Sequence, residues 1–431
     1  MGRMASTWPS DPAKLLLADL VAHLDQQLPH AQALRRELHR HPDLSGFERS
    51  TADRLRHALP TLRATRVADT GFLVRVGPPG PSVAIRAELD ALPLVERTGV
   101  EWSSTGSAMH ACGHDVHMAA LWALLEAARH VADLPVGLVG LFQPREELQP
   151  SGAEDVVGSQ LLAEHEVRAV IGGHVQPRVP TGVVSTGMGA VNAAADQFDI
   201  VVHGQPGHSA YPHVAIDPIP VLASIVLGLQ ELVGRTIDPI HPAVITVGHI
   251  EAGTAHNIIP ETGSLHGVIR TMHEADRTHL HAAIRRLAEH TAAARGAHAE
   301  VTLVVGDPVL NNDRRLVQFV DPLLGHLGMP VAHEPFRSCG ADDFSHYSRI
   351  APILMMFVGT GGPSSGARHR VGLHHPTFLP AEESIRHLAL ALAAGFVGGA
   401  QLALRPHVAD GAVAPGPSVV AAAQASDTRS A

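Results

Sequence analysis

The segment Met109-His110-Ala111-Cys112-Gly113-His114-Asp115 is the densest cluster of metal-binding chemistry in the chain. Cys112 and His114 are separated by one glycine. In a loop, that spacing lets a thiolate and an imidazole face one cation or two adjacent ones, and Asp115 can orient an imidazole from behind. The competing reading is a buried thiol beside a helix-capping aspartate. A second candidate is Gln143-Pro144-Arg145-Glu146-Glu147, which follows the apolar run Val136–Phe142. Adjacent carboxylates at the C-terminal end of an α/β strand stand where ligands collect. One can hold a metal while the other works as a base; the alternative is a solvated acidic turn. His174, after Gly172-Gly173, and His374, in Gly372-Leu373-His374-His375-Pro376, are weak signals alone. The chain has 31 histidines, so only those with partners at chemical spacing carry weight. Taken together, Cys112, His114, Glu147, His174 and His374 exceed the four ligands of one tetrahedral site. They fit a two-metal site with a bridging water.

Composition removes several other chemistries. Lys14 is the only lysine, so there is no Gly-Lys phosphate loop, and no lysine outside a polar leader to form a Schiff base. A net charge of −10 argues against a nucleic-acid footprint. Two cysteines, Cys112 and Cys339, cannot build a disulfide framework, which suits a reducing, cytoplasmic setting. Met1–Asp19 lacks the uninterrupted apolar core of a signal peptide. Leu388–Leu404 is apolar but Ala/Gly-rich and reads as a buried terminal helix, not a membrane span. No H-E-x-x-H occurs. Gly362-Pro363-Ser364-Ser365-Gly366 matches the serine-hydrolase elbow, but Ala367-Arg368-His369-Arg370 follows where that elbow needs a helix, so it reads as a loop.

The elements that must position these residues follow from periodicity. A helical leader, interrupted at Pro29, ends near Pro42. Ser45-Gly46-Phe47-Glu48 reads as a capping box for a helix to about Leu59. Strands are expected at Phe72–Val76, Ser82–Ala87, Val136–Phe142 and Arg168–Gly172, with a helix at Asp115–Val131. A second capping box at Ser151–Glu154 opens a helix to about Ala163. This is α/β alternation, with a mixed, mainly parallel sheet under helices. After about Gly189 the pattern changes. Asp196–His203, Ile216–Val233, Ala243–Ile250, Gly263–Thr271, Ala275–Arg295 and Glu300–Val305 give β-α-β-β-α-β, a ferredoxin-like α+β unit inserted into the first domain. The α/β pattern resumes with helix Leu316–Leu327, strand Pro352–Val358 and a final helix from about Pro380. The expected division is a discontinuous catalytic domain, 12–190 and 306–403, and an insert, 191–305. Residues 404–431, mostly Ala, Pro, Gly and Ser, read as a disordered tail.

Five motifs then occur in a telling order. They are Arg86-Ala87-Glu88-Leu89-Asp90-Ala91-Leu92-Pro93, Met109–Asp115 with His117, Gln143–Glu147, Gly207-His208-Ser209-Ala210 with Pro212-His213, and Gly253-Thr254-Ala255-His256-Asn257-Ile258-Ile259-Pro260. From about Leu34 to Ala400 the chain resembles the M20 metallopeptidase family. The amidohydrolase branch, with hippurate hydrolases, N-acyl-amino-acid amidohydrolases and auxin-conjugate hydrolases, is the nearest match. The resemblance implies that Cys112, His114, Glu147, His174 and His374 bind two divalent ions, manganese or zinc, with cobalt or nickel as further candidates. It implies that Glu146 is the general base and that the insert is a dimerisation lid carrying His208 into the partner's site. Asn257 takes a substrate-contacting position, and Arg270 is a candidate for the substrate carboxylate, against an ordinary surface role. The implied reaction is hydrolysis of N-acyl amino acids. The alternatives are a dipeptidase or N-deacetylase of the same family, or a non-catalytic binding protein on this fold. No nucleic acid or membrane partner is expected, and a homodimer is. Glu88 stands where the family usually has Asp, His375 where Asn or Ser usually follows the last ligand, Asp342 where Glu is usual, and Gln205-Pro206 where Lys-Gly is usual.

Overall fold

In a computed structural model, residues 10–362 and 371–405 are described. The tail from Pro406 and the Pro363–Gly366 part of the serine motif lie outside them.

The chain opens with two helices, α1 (Ser10–Arg40) and α2 (Arg49–Ala58). β1 (Thr65–Val67), β2 (Gly71–Val76) and β3 (Ser82–Glu88) follow, then α3 (His114–Ala128), β4 (Gly137–Gln143), α4 (Gly152–Gly158), α5 (Leu161–Glu164), β5 (Val167–Pro180), β6 (Val184–Ser185) and β7 (Gly189–Asn192). The insert comprises β8 (Ala194–His203), β9 (Gly207–His208), α6 (Pro218–Thr236), β10 (Ala243–Ala252), β11 (Ile258–Ile259), β12 (Thr262–Thr271), α7 (Glu274–Ala293) and β13 (His298–Val305). The chain returns through β14 (Leu310–Asn312), α8 (Arg314–His326), β15 (Ile353–Gly361) and α9 (Glu383–Ala403).

Seven strands form the larger sheet in the order β1-β2-β4-β3-β5-β15-β6. β4, β3, β5 and β15 run parallel, with antiparallel partners at both edges. Alternate residues of each strand go to opposite faces. Val83, Ile85 and Ala87 join the core under α1, α3, α8 and α9, while Ala84, Val139, Leu141 and Val170 join the core on the other side. Both faces are covered, which is why β4 reads as a continuous apolar run. By length and composition α6 and α9 could each cross a membrane, but 78% of the most apolar stretch of α9 is buried inside the protein, against 22% for α6.

Pro29 does not interrupt the leader: α1 runs through it. The missing backbone bond costs about 3 kcal/mol. Leu17, Leu20, Leu24, Ala31 and Leu38, buried on both sides of it, hold the helix in place. Neither capping box forms. The Ser45 hydroxyl donates to Asp90 at 2.5 Å, and Glu48 accepts from Thr70 Oγ1 at 2.7 Å and Arg145 N–H at 3.0 Å, so long-range partners outcompete the local cap. Ser151 makes no cap bond, and the helix expected to Ala163 breaks into α4 and α5.

The insert is a four-stranded antiparallel sheet in the order β10-β12-β8-β13, covered on one face by α6 and α7. This is the ferredoxin-like arrangement expected from the element order. The flanking strands β7 and β14 pair with each other where the chain leaves and returns.

Candidate metal centre

Parallel strands bring their C-terminal ends to one edge of a sheet, and loops there converge. Asp90 follows β3, Glu146 and Glu147 follow β4, and Cys112 and His114 stand at the start of α3. The turn into α3 demands Gly113. Its φ is +87°, and a Cβ there would stand 2.4 Å from Val175 Cγ2. Gly152 is required as well, since its Cβ would meet the Pro144 carbonyl at 1.8 Å. That close approach folds the acidic loop back on α4. Arg145 and His374 both adopt left-handed φ, +53° and +61°, a conformation unusual for non-glycine residues and frequent at functional sites.

The structure brings the five proposed ligands together. Cys112 Sγ lies 3.4 Å from His174 Nε2. His374 Nε2 lies 3.1 Å from Glu147 Oε1, and His114 Nε2 lies 3.9 Å from Glu146 Oε2. Cys112, Glu147 and His374 form one group with ligand atoms within 4.8 Å of one another; His114, Glu146 and Glu147 form a second, sharing Glu147. His375 turns away to Thr377 Oγ1 at 2.8 Å, so His374 is the histidine that reaches the cluster. His174 sits inside β5, opposite Phe357 of β15, because the strand expected to stop at Gly172 continues to Pro180.

The donor chemistry fits a cation. His114 Nδ1 donates to the Asp90 carbonyl at 2.8 Å, and His174 Nδ1 donates to the Val175 carbonyl at 2.8 Å. Each imidazole therefore presents the Nε2 lone pair to the cluster. Among the described residues His114 Nε2 is buried without a hydrogen-bond partner. The surrounding carboxylates favour positive charge at this place, as a proton or as a cation. Burial alone would lower the His114 pKa, but Glu88, Asp90 and Glu147 outweigh it and lift it to about 10. The Cys112 thiol is pushed well above its usual range by burial and by Glu147, Glu146 and Glu88. A thiolate here needs a cation beside it. Glu146 is also pushed well up, by burial and by Glu147, Asp342 and Asp343, with Arg86 opposing.

Behind the first group stands a second, in which sequence reasoning assigned no role to Glu88 or His117. Glu88, His114, His117 and His174 also converge within 4.8 Å, and all are buried. His117 Nδ1 meets Glu88 Oε2 at 2.8 Å, and its Nε2 accepts from Val175 N–H at 3.0 Å. Both ring nitrogens of His117 are thus engaged. Glu88 is held well below the usual carboxylate range; burial opposes this, and Arg86, His117 and His114 overcome it. Arg86 also binds Asp343 at 2.6 Å, which in turn accepts from Gln143 at 2.7 Å. The i,i+3 spacing of His114 and His117 on one helix face was the available signal. The hydrogen bonds of Asp115 go to α1 and not to a proposed ligand. Its Oδ2 takes Arg35 Nε at 2.8 Å and His39 Nδ1 at 3.0 Å, so it ties α3 to α1.

The remaining candidates lie in the insert. His208 is exposed on β9, paired with Ile258, and beside it Ser209 N–H donates to the Asn257 carbonyl at 3.1 Å. The two motifs that carry His208 and Asn257 thus meet, 49 residues apart in sequence. Arg270 lies on β12, half-buried, on the face turned away from α6 and α7.

Residues 84–394 match the model of peptidase family M20/M25/M40. The chain belongs to that family. It is 33% identical over 365 residues to the N-acetylcysteine deacetylase of Bacillus subtilis, covering 82% of this chain and 92% of that one. It is 34% identical over 368 residues to thermostable carboxypeptidase 2 of Saccharolobus solfataricus, covering 83% and 92%. A solved Bacillus subtilis structure, a dinuclear metal-binding peptidase of family M20, superposes with a TM-score of 0.74 at 30% identity, covering 86% and 98%. The protein is a family M20 hydrolase acting on amide bonds, with a partly buried cluster of residues suited to divalent metal.

Proposed function

We propose that this hydrolase cleaves the amide bond of N-acyl amino acids, releasing a carboxylic acid and a free amino acid. The observation that carries the reading is the division between two adjacent glutamates. Glu147 groups with Cys112 and His374, while Glu146 stands beside His114 with Asp342 and Asp343 behind it. Cys112, His114, Glu147, His174 and His374 would hold two divalent ions, manganese or zinc. Such ions supply a water made acidic and a Lewis-acid pull on the amide carbonyl. Glu146 takes the proton of the attacking water and delivers it to the leaving nitrogen. Arg270 and Asn257 dock the amino-acid half, with the guanidinium suited to a carboxylate. One relative carries the name N-acetylcysteine deacetylase, which makes N-acetyl amino acids the first substrates to test.

His208 Nδ1 accepts from Ala210 N–H at 3.1 Å, so its Nε2 carries the proton and points outward as a donor. That is the tautomer an oxyanion requires. We infer that it serves the site of a second copy, with residues 191–305 acting as the dimerisation lid. Among the described residues strand β10 is paired on one side only, and Ile240 just ahead of it (80% exposed) and Leu227 on α6 (69% exposed) are apolar and exposed.

Glu146→Gln should keep its metal and lose turnover by about 10²–10⁴. Glu147→Ala should lose metal. The opposite result, an empty Glu146→Gln site and a filled Glu147→Ala site, would reverse the two roles.

A further inference from the structure

The chain passes between its two units at Ala193–Ala195 and again at Gly306–Val309. Helix α7 of the insert grips the second crossing. Arg277 Nη2 donates to the Gly306 carbonyl at 3.0 Å, and Val309 N–H donates to Glu274 Oε1 at 2.9 Å. Asp196 at the start of β8 accepts from Gly306 N–H at 3.0 Å and from Arg277 Nη2 at 2.5 Å. Asp307 lies between these gripped residues. Its carbonyl accepts Ala195 N–H at 3.0 Å, so the two crossings are tied to each other.

The Asp307 side chain turns toward the larger unit and is buried, 7% exposed. Both of its oxygens lie 3.2 Å from Gln149 Nε2, and Oδ1 also lies 3.0 Å from His346 Nε2. Gln149 is two residues past Glu147, in a short loop closed by Gly152 N–H to the Arg145 carbonyl at 2.9 Å and pinned by Glu147 N–H to Asp90 Oδ2 at 2.9 Å. Hydrogen bonds from α7 to Gly306 and Val309, the backbone between them, and the bonds of Asp307 to Gln149 therefore connect α7 to the loop that bears Glu146 and Glu147.

We propose that Asp307 is a positioning residue that fixes the Glu146–Glu147 loop relative to the insert through Gln149. This rests on the roles given above to the two glutamates. Asp307 touches no proposed ligand; it acts by holding the loop. When the crossing is correctly seated by α7, the carboxylate pair is held in register. When the tie is cut, the loop is free to drift, and a drift of about 1 Å can cost on the order of 100-fold in rate.

The test uses the full chain with Asp307→Ala, Gln149→Glu, and Gln149→Glu combined with Asp307→Asn. The first removes the acceptor and the second faces two carboxylates. The pair reverses donor and acceptor, because the new amide at position 307 would donate to the new carboxylate at position 149 and still accept from His346. Two readouts are taken: kcat and KM for an N-acyl amino acid, and amide hydrogen exchange of peptides covering 144–152 without substrate. Both single variants should lower kcat about tenfold or more with little change in KM, and speed exchange in 144–152. The double variant should recover most of both. Wild-type kcat and exchange in Asp307→Ala would overturn the proposal. So would a folded double variant as impaired as Gln149→Glu alone, which also decides the matter if Asp307→Ala does not fold. If Glu146→Gln turned over normally, the functional reading would fall, and the exchange comparison would still judge the tie.

Discussion

Replacing Gly113 by alanine tests whether the metal-binding turn is built as described. Two separate costs can be worked out. At φ +87° a non-glycine residue pays about 1–2 kcal/mol. The new Cβ would stand 2.4 Å from Val175 Cγ2, and Val175 is fully buried and carried on β5, so it cannot swing aside. Forcing a methyl group into such packing costs about 1–3 kcal/mol. Gly113→Ala should therefore destabilise by roughly 2–5 kcal/mol. Val175→Ala alone opens a small cavity and costs about 1–3 kcal/mol. In the double variant the collision is gone, and the backbone cost and the packing lost with Val175 remain. The two changes should thus be less than additive, with a coupling of about 1–3 kcal/mol in a double-mutant cycle measured by denaturant unfolding. Strict additivity, or a Gly113→Ala protein as stable as the parent, would refute the reasoning. Because Val175 adjoins His174, metal affinity should follow the same pattern.

His39 gives a pH prediction with a definite sign. Burial would lower its pKa, but the Asp115 and Glu96 carboxylates raise it from 6.5 to about 9. A raised folded pKa stabilises fully below about 6.5, and the benefit is lost as pH rises through 9; the span corresponds to about 3 kcal/mol. Unfolding free energy of the parent should fall over that window, and His39→Gln should flatten the fall; an unchanged profile would contradict the pairing. Arg86→Met would leave Glu88 and Asp343 buried without their shared cation, a loss of about 3–5 kcal/mol by denaturant unfolding. A loss below about 1 kcal/mol would mean that the network is not held by that charge. Leu227→Arg with Ile240→Arg should give a folded monomer by ultracentrifugation, and a persistent dimer would move the interface elsewhere. Mixing His208→Ala with Glu146→Gln chains should restore activity if His208 serves its partner, and should not if it acts within its own chain.

Much of this was legible in the sequence because it is local or periodic. The run Val136–Phe142 announced a strand covered on both faces, and β4 is that strand. Cys112, His114 and the two glutamates stood at segment ends, where parallel strands gather their loops. What escaped has partners far along the chain. Ser45 looked like a cap but is claimed by Asp90, 45 residues away, and Asp115 looked like support for a ligand but is claimed by Arg35 and His39 on α1. The pairing of Glu88 with His117 spans 29 residues and has no local trace beyond the helical spacing of two histidines. Pro29 misled for the opposite reason. Its local cost is real, and the packing of α1 against α3 and α9 exceeds it.

The central claim, metal-dependent amide hydrolysis at the Cys112–His114–Glu147–His174–His374 cluster, is tested most directly by stripping and restoring metal. Purified protein would be treated with a chelator, assayed on N-acetyl amino acids and hippurate, then reloaded with manganese or zinc while bound metal is counted. The account predicts no hydrolysis after stripping, and recovery that follows uptake of up to two ions per chain. Full turnover by the metal-free protein, or metal uptake unaffected by Cys112→Ala and His114→Ala, would contradict it.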